Sequence, residues 1–300
     1  MRRFSPLCYT GRIGERIAST RPVRGSEPEQ QTRIMVMHGT LGLLGCGNMG
    51  GAIVLGLIES GTISPEHTLV FDIDPDRAKS LKLPVAQSPV ALAQHSNTLI
   101  LATKPQDIDE ALAALKPGLT DDTLVVSIAA GISIATIQKR IGAQARVARA
   151  MPNTPALVGA CAAGIALSEA CTASDKDTVH TIFAAIGVAV DVSEDELDAV
   201  TALSGSGPAY FFYMVECLVE AATELGLSGE QAAQLAGQTL YGAGKLLMES
   251  GESAATLRER VTSKGGTTFA ALEAFDAQDL RAAIRAGVHA AAARSRELGT

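Results

Sequence analysis

Three glycines constrain this chain more than any other feature. Residues 41–44 (Leu-Gly-Leu-Leu) form an apolar run that meets Gly45, Gly47 and Gly50. Gly51-Ala52-Ile53-Val54 then opens an amphipathic segment that stops at Gly61. This order reads as strand, tight turn, helix, and the G-x-G-x-x-G spacing has a physical reason at each position. Gly45 makes the turn, Gly47 lets backbone approach a pyrophosphate, and Gly50 lets the helix pack close to the strand. Unpaired amides at the helix start, with the positive end of its dipole, attract the anion. An ordinary αβ turn needs no such spacing, and a strand before with a helix after favours a dinucleotide site.

From Leu41 the chain alternates strand and helix. Residues 68–71, 97–102 and 123–129 are further apolar strands, and 145–150, 164–167 and 188–192 have the same character. Continuous apolar strands between helical stretches predict a parallel sheet buried on both faces. After about Glu194 strand signals vanish. Pro208 to Leu225 is a helix with proline in its first turn and Gly226 past its end. Ser228-Gly229-Glu230-Gln231 is a capping box opening the next helix, to about Met248; 253–262 and 276–298 complete a helical second half. Tyr210 to Val219 is apolar nearly all round, more than a helical domain of about 100 residues can bury, so this helix is expected at a subunit interface. Three hundred residues accommodate two domains, expected at 37–195 and 196–300.

Residues 1–36 stand apart. They hold seven arginines against three glutamates, with prolines and no sustained apolar periodicity. An organelle transit peptide is one reading; Glu15, Glu27 and Glu29 argue instead for a disordered extension, or for translation starting near Met35 or Met37. The whole chain carries −7, which speaks against nucleic acid as the main partner. Five cysteines without a C-x-x-C pair fit a reducing cytosol, with neither a disulfide frame nor a zinc site. No window of about 18 residues is apolar and free of charge, so no membrane span is expected.

Ligands of open α/β sheets lie beyond the carboxyl ends of the strands. Those ends carry Lys104-Pro105-Gln106, Ala129-Ala130-Gly131 and Met151-Pro152-Asn153-Thr154-Pro155, each short and unable to continue a strand. Asp72 stands 22 residues after Gly50, where an acid bonds ribose hydroxyls and favours NAD, while Arg77 is the nearby cation for a 2′-phosphate. In the second half, Ser204–Tyr210 enters the long apolar helix, and Thr262-Ser263-Lys264-Gly265-Gly266-Thr267-Thr268 enters another near Phe269. Adjacent glycines among hydroxyls at a helix start make an anion nest, and no Glu or Gln follows to close a capping box. A small carboxylate fits there; a flexible connector has no need of the hydroxyls.

These motifs, over about residues 40–298, resemble the pyrroline-5-carboxylate reductase family, with Ser204–Tyr210 and Val261–Thr268 the most specific. Lys264 stands where that family often has proline. The resemblance implies a Rossmann-like α/β domain followed by an all-α dimerisation domain, and a homodimer that in the family often builds a decamer. It implies NADPH or NADH as cofactor, 1-pyrroline-5-carboxylate as substrate, and hydride transfer from C4 of the nicotinamide to the imine carbon of the ring, which is C5 of the proline formed. Its cofactor set here is Gly45, Gly47, Asn48, Met49, Gly50, Asp72, Thr103, Lys104, Pro105, Ala129, Ala130, Gly131 and Asn153. Ser263 and the amides of Gly265, Gly266 and Thr267 would hold the carboxylate, and Thr268 would hydrogen-bond the ring nitrogen. Hydride transfer to an iminium needs positioning more than a strong base, which suits motifs free of histidine. A β-hydroxyacid dehydrogenase is the first alternative, but Lys245 has Glu249, not asparagine, four residues on. A non-catalytic NAD-binding sensor is the second, and it would need no carboxylate nest. The cytoplasm is the expected compartment.

Overall fold

The computed structural model describes Met37 and residues 39–299. The readings made for residues 1–36 lie outside the described residues. The first half supplies seven strands: β1 (Leu41–Leu44), β2 (Thr68–Phe71), β3 (Thr98–Leu101), β4 (Leu124–Ser127), β5 (Arg146–Met151), β6 (Cys161–Leu167) and β7 (Gly187–Asp191). Between them lie α1 (Asn48–Glu59), α2 (Pro75–Ser80), α3 (Pro89–Gln94), α4 (Ile108–Leu115), α5 (Ile134–Ile141) and α6 (Ala173–Ala184). One sheet holds all seven strands in the order β2-β1-β3-β4-β5-β6-β7.

Strand alternation divides the core in two. Leu41 and Leu43 of β1, Ile100 of β3 and Val126 of β4 face α1 and α6, packing with Ile53, Leu57 and Phe183. Their neighbours Leu44, Leu99, Leu101 and Val125 face the other way, onto Leu92, Leu112 and Ile137. A period of two in a doubly covered sheet requires both sets to be apolar, hence the unbroken hydrophobic runs. The expectation of a wholly parallel sheet is corrected at one place: β6 runs antiparallel to β5, with Ala148 opposite Leu167 and Met151 opposite Gly164. The short turn Thr154–Val158 and Gly159, at φ +69°, reverse the chain there without a crossover helix.

Local chemistry sets the helix ends. Asp74, Ser88 and Ser133 each accept a first-turn amide of α2, α3 and α5, and proline follows the first two. Thr172 and Asp175 close a capping box on α6. Asp175, 5% exposed, also pairs with Arg146 of β5 at 3.0 Å, and Arg146 donates to the Asp122 carbonyl.

The second half is helical: α7 (Leu197–Val200), α8 (Gly207–Glu224), α9 (Gly229–Glu249), α10 (Ala254–Arg260), α11 (Thr267–Ala277) and α12 (Leu280–Leu298). The helix expected over 276–298 begins later, at Leu280: residues 276–277 close α11, and Asp279 turns left-handed (φ 51°) before α12. Gly226, at φ +102°, ends α8 in a Schellman motif: its amide bonds the Thr223 carbonyl, and the Leu227 amide bonds Ala222. Helix α8 packs on α9 and α11 on α12, while α12 returns to α7. There Ser295 donates to Asp198 at 2.6 Å. Phe211 and Tyr213 on α8 remain 58% and 69% exposed in the single chain.

Removing the Asp175 carboxylate leaves Arg146 without its ion-pair partner and opens half of the α6 capping box, the bonds it accepts from the Thr172 amide and hydroxyl. Asp175→Ala should cost about 3 kcal/mol in urea unfolding at matched protein concentration, a change under 1 kcal/mol contradicting the assignment.

Candidate active site

The order β2-β1-β3 places β1 at the point where the chain switches sides, and the crevice opens beyond the ends of β1 and β3. Gly45 leaves β1 at φ +99°, and a Cβ there would lie 2.6 Å from the Ala102 carbonyl oxygen. A Cβ on Gly50 would fall on the Gly45 carbonyl. Gly47 is different: nothing lies within 4 Å of its Cβ direction, so backbone is bare at that point. It caps α1 without a side-chain bond, and no acid occupies the first turn. The amides of Asn48 and Met49 at the helix start donate to no acceptor in the described chain.

Asp72, just past β2, is clamped from both sides. The Cys46 amide donates to Oδ2 at 2.7 Å, and the Asp74 amide to Oδ1 at 2.9 Å. The Cys46 thiol beneath is pushed up to about 12, by burial first and then by the Asp72 charge, so it is no nucleophile near neutral pH. Beside Asp72 opens a cavity of about 570 Å³, within the usual range for small-ligand sites. Gly45, Gly47, Asp72, Arg77, Thr103 and Lys104 line it, with Ile73, Pro89 and Ala111 as apolar wall. The Thr103 hydroxyl is buried there without a partner. A bare glycine backbone and an orphaned hydroxyl at one cavity, with the unpaired amides of Asn48 and Met49 following Gly47 at the adjoining helix start, fit a phosphate-bearing dinucleotide. Asp107, at the N-cap of α4, and Glu110 and Ala114 on its outward face also line the cavity and were not foreseen; their three- and four-residue spacing was the available signal. A second cavity, about 770 Å³, flanks α1 on its other side, with Leu55 and Val158 in its lining and Glu59 as its charged residue.

Two expected cofactor residues, Gly131 and Asn153, have other partners. Gly131 has φ +76°, and the Leu298 carbonyl oxygen lies 3.0 Å from where its Cβ would be, so the end of α12 covers it. Ala129 before it is buried, and Ala130 is exposed. Asn153, 7% exposed, donates to the Ser204 carbonyl at 3.0 Å and accepts from the Ala162 amide at 2.9 Å. Its carboxamide thus pins the loop after β5 to the π-turn Thr201–Gly205, which Tyr210 also grips through the Ala202 carbonyl at 3.0 Å. Pro105 opens the short turn Pro105–Asp107 and does not line the cavity beside Asp72.

The Ser263–Thr268 loop is a type II turn. Gly265 takes φ +74°, as the third position requires, and the Gly266 amide donates back to the Ser263 carbonyl at 3.0 Å. The expectation that the Gly266 amide serves a ligand is therefore corrected: the turn uses it. The amides of Gly265, Thr267 and Thr268 and the hydroxyls of Ser263, Thr267 and Thr268 bond nothing in the described chain. Gly266 caps α11 without a side-chain bond, so the dipole end stays open. Within one chain these residues line neither cavity.

Residues 194–298 match the family described as pyrroline-5-carboxylate reductase dimerisation, and residues 40–131 the one described as NADP oxidoreductase coenzyme F420-dependent. The chain is 38% identical to the pyrroline-5-carboxylate reductase of Methanosarcina acetivorans over 263 residues, 86% of this chain and 97% of that one. Its fold matches the pyrroline-5-carboxylate reductase structure from Coxiella burnetii with a TM-score of 0.84 at 36% identity, covering 87% and 99% of the two chains. It also matches the pyrroline carboxylate reductase of Plasmodium falciparum with NADP bound, at TM-score 0.80 and 29% identity, covering 88% and 100%.

The glycine geometry separates two variants. Gly47→Ala should unfold at the parent temperature yet bind a nicotinamide dinucleotide at least tenfold more weakly. Gly50→Ala should lose both stability and binding. Equal stability of the two variants in thermal unfolding would contradict the packing assigned to Gly50.

Proposed function

The chain belongs to the pyrroline-5-carboxylate reductase family, and we infer that it reduces 1-pyrroline-5-carboxylate to L-proline with hydride from NAD(P)H, the last step of proline biosynthesis. The observation that carries this reading is the unpaired amide and hydroxyl cluster at Ser263–Thr268, in a chain that also has a dinucleotide crevice.

When bound, NAD(P)H supplies the hydride. The amides of Gly47, Asn48 and Met49 hold the pyrophosphate, with Gly45 and Gly50 shaping the loop. Asp72 faces the adenosine ribose, and the Thr103 hydroxyl gains the partner it lacks. Lys104, Pro105, Ala129 and Ala130 border the nicotinamide. Asn153 and Gly131 act by positioning, since both are already engaged by the chain itself.

For the substrate, the Ser263 hydroxyl and the amides of Gly265 and Thr267 receive the carboxylate, aided by the positive end of α11. Gly266 contributes through the turn. The Thr268 hydroxyl meets the ring nitrogen and keeps a proton there. A protonated C=N bond accepts hydride at carbon and leaves an amine, so no separate strong base is required.

The exposed aromatic face of α8 supports a homodimer, and the Ser263–Thr268 loop and the crevice then meet only in the assembled protein. A decamer is a further assembly of the same dimer. We place the boundary between the dinucleotide-binding and helical regions near residue 195, and the protein in the cytoplasm, away from nucleic acid and membrane. Among the described residues no helix is long and apolar enough to cross a membrane. Lys245 lies 3.7 Å from Glu249, a pairing that gives a hydroxyacid dehydrogenase no lysine–asparagine couple.

Steady-state turnover of pyrroline-5-carboxylate tests the reading. Proline should form, and Thr268→Ala should lower kcat/KM at least tenfold, about 1.4 kcal/mol of transition-state stabilisation, with Thr268→Ser restoring most of it. A folded, dinucleotide-binding preparation that turns over with neither cofactor would overturn it.

A further inference from the structure

We propose that Asp72 makes this chain select NADH over NADPH. The inference rests on the dinucleotide site assigned above.

The carboxylate cannot swing away from the cavity. Its two oxygens are held by the Cys46 amide at 2.7 Å and the Asp74 amide at 2.9 Å, one from the glycine loop and one from its own turn. Each oxygen accepts one bond and keeps capacity for another. A ribose diol offers two hydroxyl donors to such an acceptor. A 2′-phosphate offers only acceptor oxygens and a double negative charge, and meets a fixed carboxylate.

The cations that could offset this are shared or distant. Five charged residues line the cavity, the carboxylates Asp72, Asp107 and Glu110 against Arg77 and Lys104. Arg77 is paired with Asp74 at 3.4 Å, and Asp74 at the same time caps α2 through the Asp76 amide. Lys104 follows β3, which is separated from β2 by β1, so two strand spacings, about 10 Å, lie between it and the ribose end. Between Asp72 and Asp74 the chain presents Ile73, 89% exposed, where a basic side chain would be free to reach a phosphate. At the β2 end, where NADPH carries its extra phosphate, the chain therefore presents a donor-seeking wall with two carboxylates, Asp72 and Asp74, against the one guanidinium of Arg77.

NADH and NADPH titrated separately into the wild-type protein, followed by nicotinamide fluorescence, test the proposal. No pyrroline carboxylate is present, so the result stands apart from that of the turnover assay. NADH should bind at least tenfold more tightly, and raising the salt concentration should narrow the difference, as screening of a charge repulsion requires. Asp72→Asn keeps an acceptor for the Cys46 amide and removes the charge; it should bring the two affinities within about threefold. Equal or tighter binding of NADPH by the wild type overturns the proposal. So does an Asp72→Asn protein that binds NADH and retains the full preference. The wild-type salt series decides the matter on its own if the variant does not fold.

Discussion

A close backbone approach at the glycine loop decides where the site lies. At Gly45 the chain leaves β1 against the Ala102 carbonyl at the end of β3, and at Gly50 helix α1 rests on the Gly45 carbonyl. A methyl group at either place would force the strand end and helix start apart. Because they do meet, the bare backbone of Gly47 and the Thr103 hydroxyl line one crevice next to the start of α1, and Asp72 is close enough to brace the loop. Backbone dipoles held this way need no reorganisation on binding, the condition under which they are most effective.

The helical half addresses a different problem. Its helices bury few of their own apolar residues, and the aromatic face of α8 is exposed in the single chain. That surface is too large for a solitary protein to present to water, and a second copy is the simplest cover. The same half holds the open turn at Ser263–Thr268. On the proposed function, a substrate site assembled in this way would couple activity to association. An anchor from the helical half to the sheet half does exist within one chain: the end of α12, tied to α7 by the Ser295–Asp198 bond, rests on Gly131.

The glycine loop, Asp72 and the alternation of strands were legible in the sequence because each is a local pattern with a fixed spacing. The Ser228 and Pro208 helix starts were legible for the same reason. The antiparallel course of β6 was not: Cys161–Leu167 is an apolar run suited to either direction, and only the short turn at Thr154–Val158 distinguishes them. Asn153 and Gly131 looked like cofactor residues because both sit in turns after strands. Their partners, Ser204 and Leu298, are 51 and 167 residues away, beyond any local pattern. Gly266 was misjudged at shorter range, since a glycine pair shows that a turn forms but not which amide closes it.

The central claim is that hydride passes to the C=N carbon of a substrate held by the Ser263–Thr268 loop. Its most direct test is isotopic: NADH deuterated at C4, each diastereomer in turn, incubated with pyrroline-5-carboxylate and the protein, with the proline examined by mass spectrometry and NMR. One diastereomer should deliver a single deuterium to C5 of proline and the other none. Proline without deuterium from either diastereomer, or no proline from a protein that binds NADH, would contradict the account.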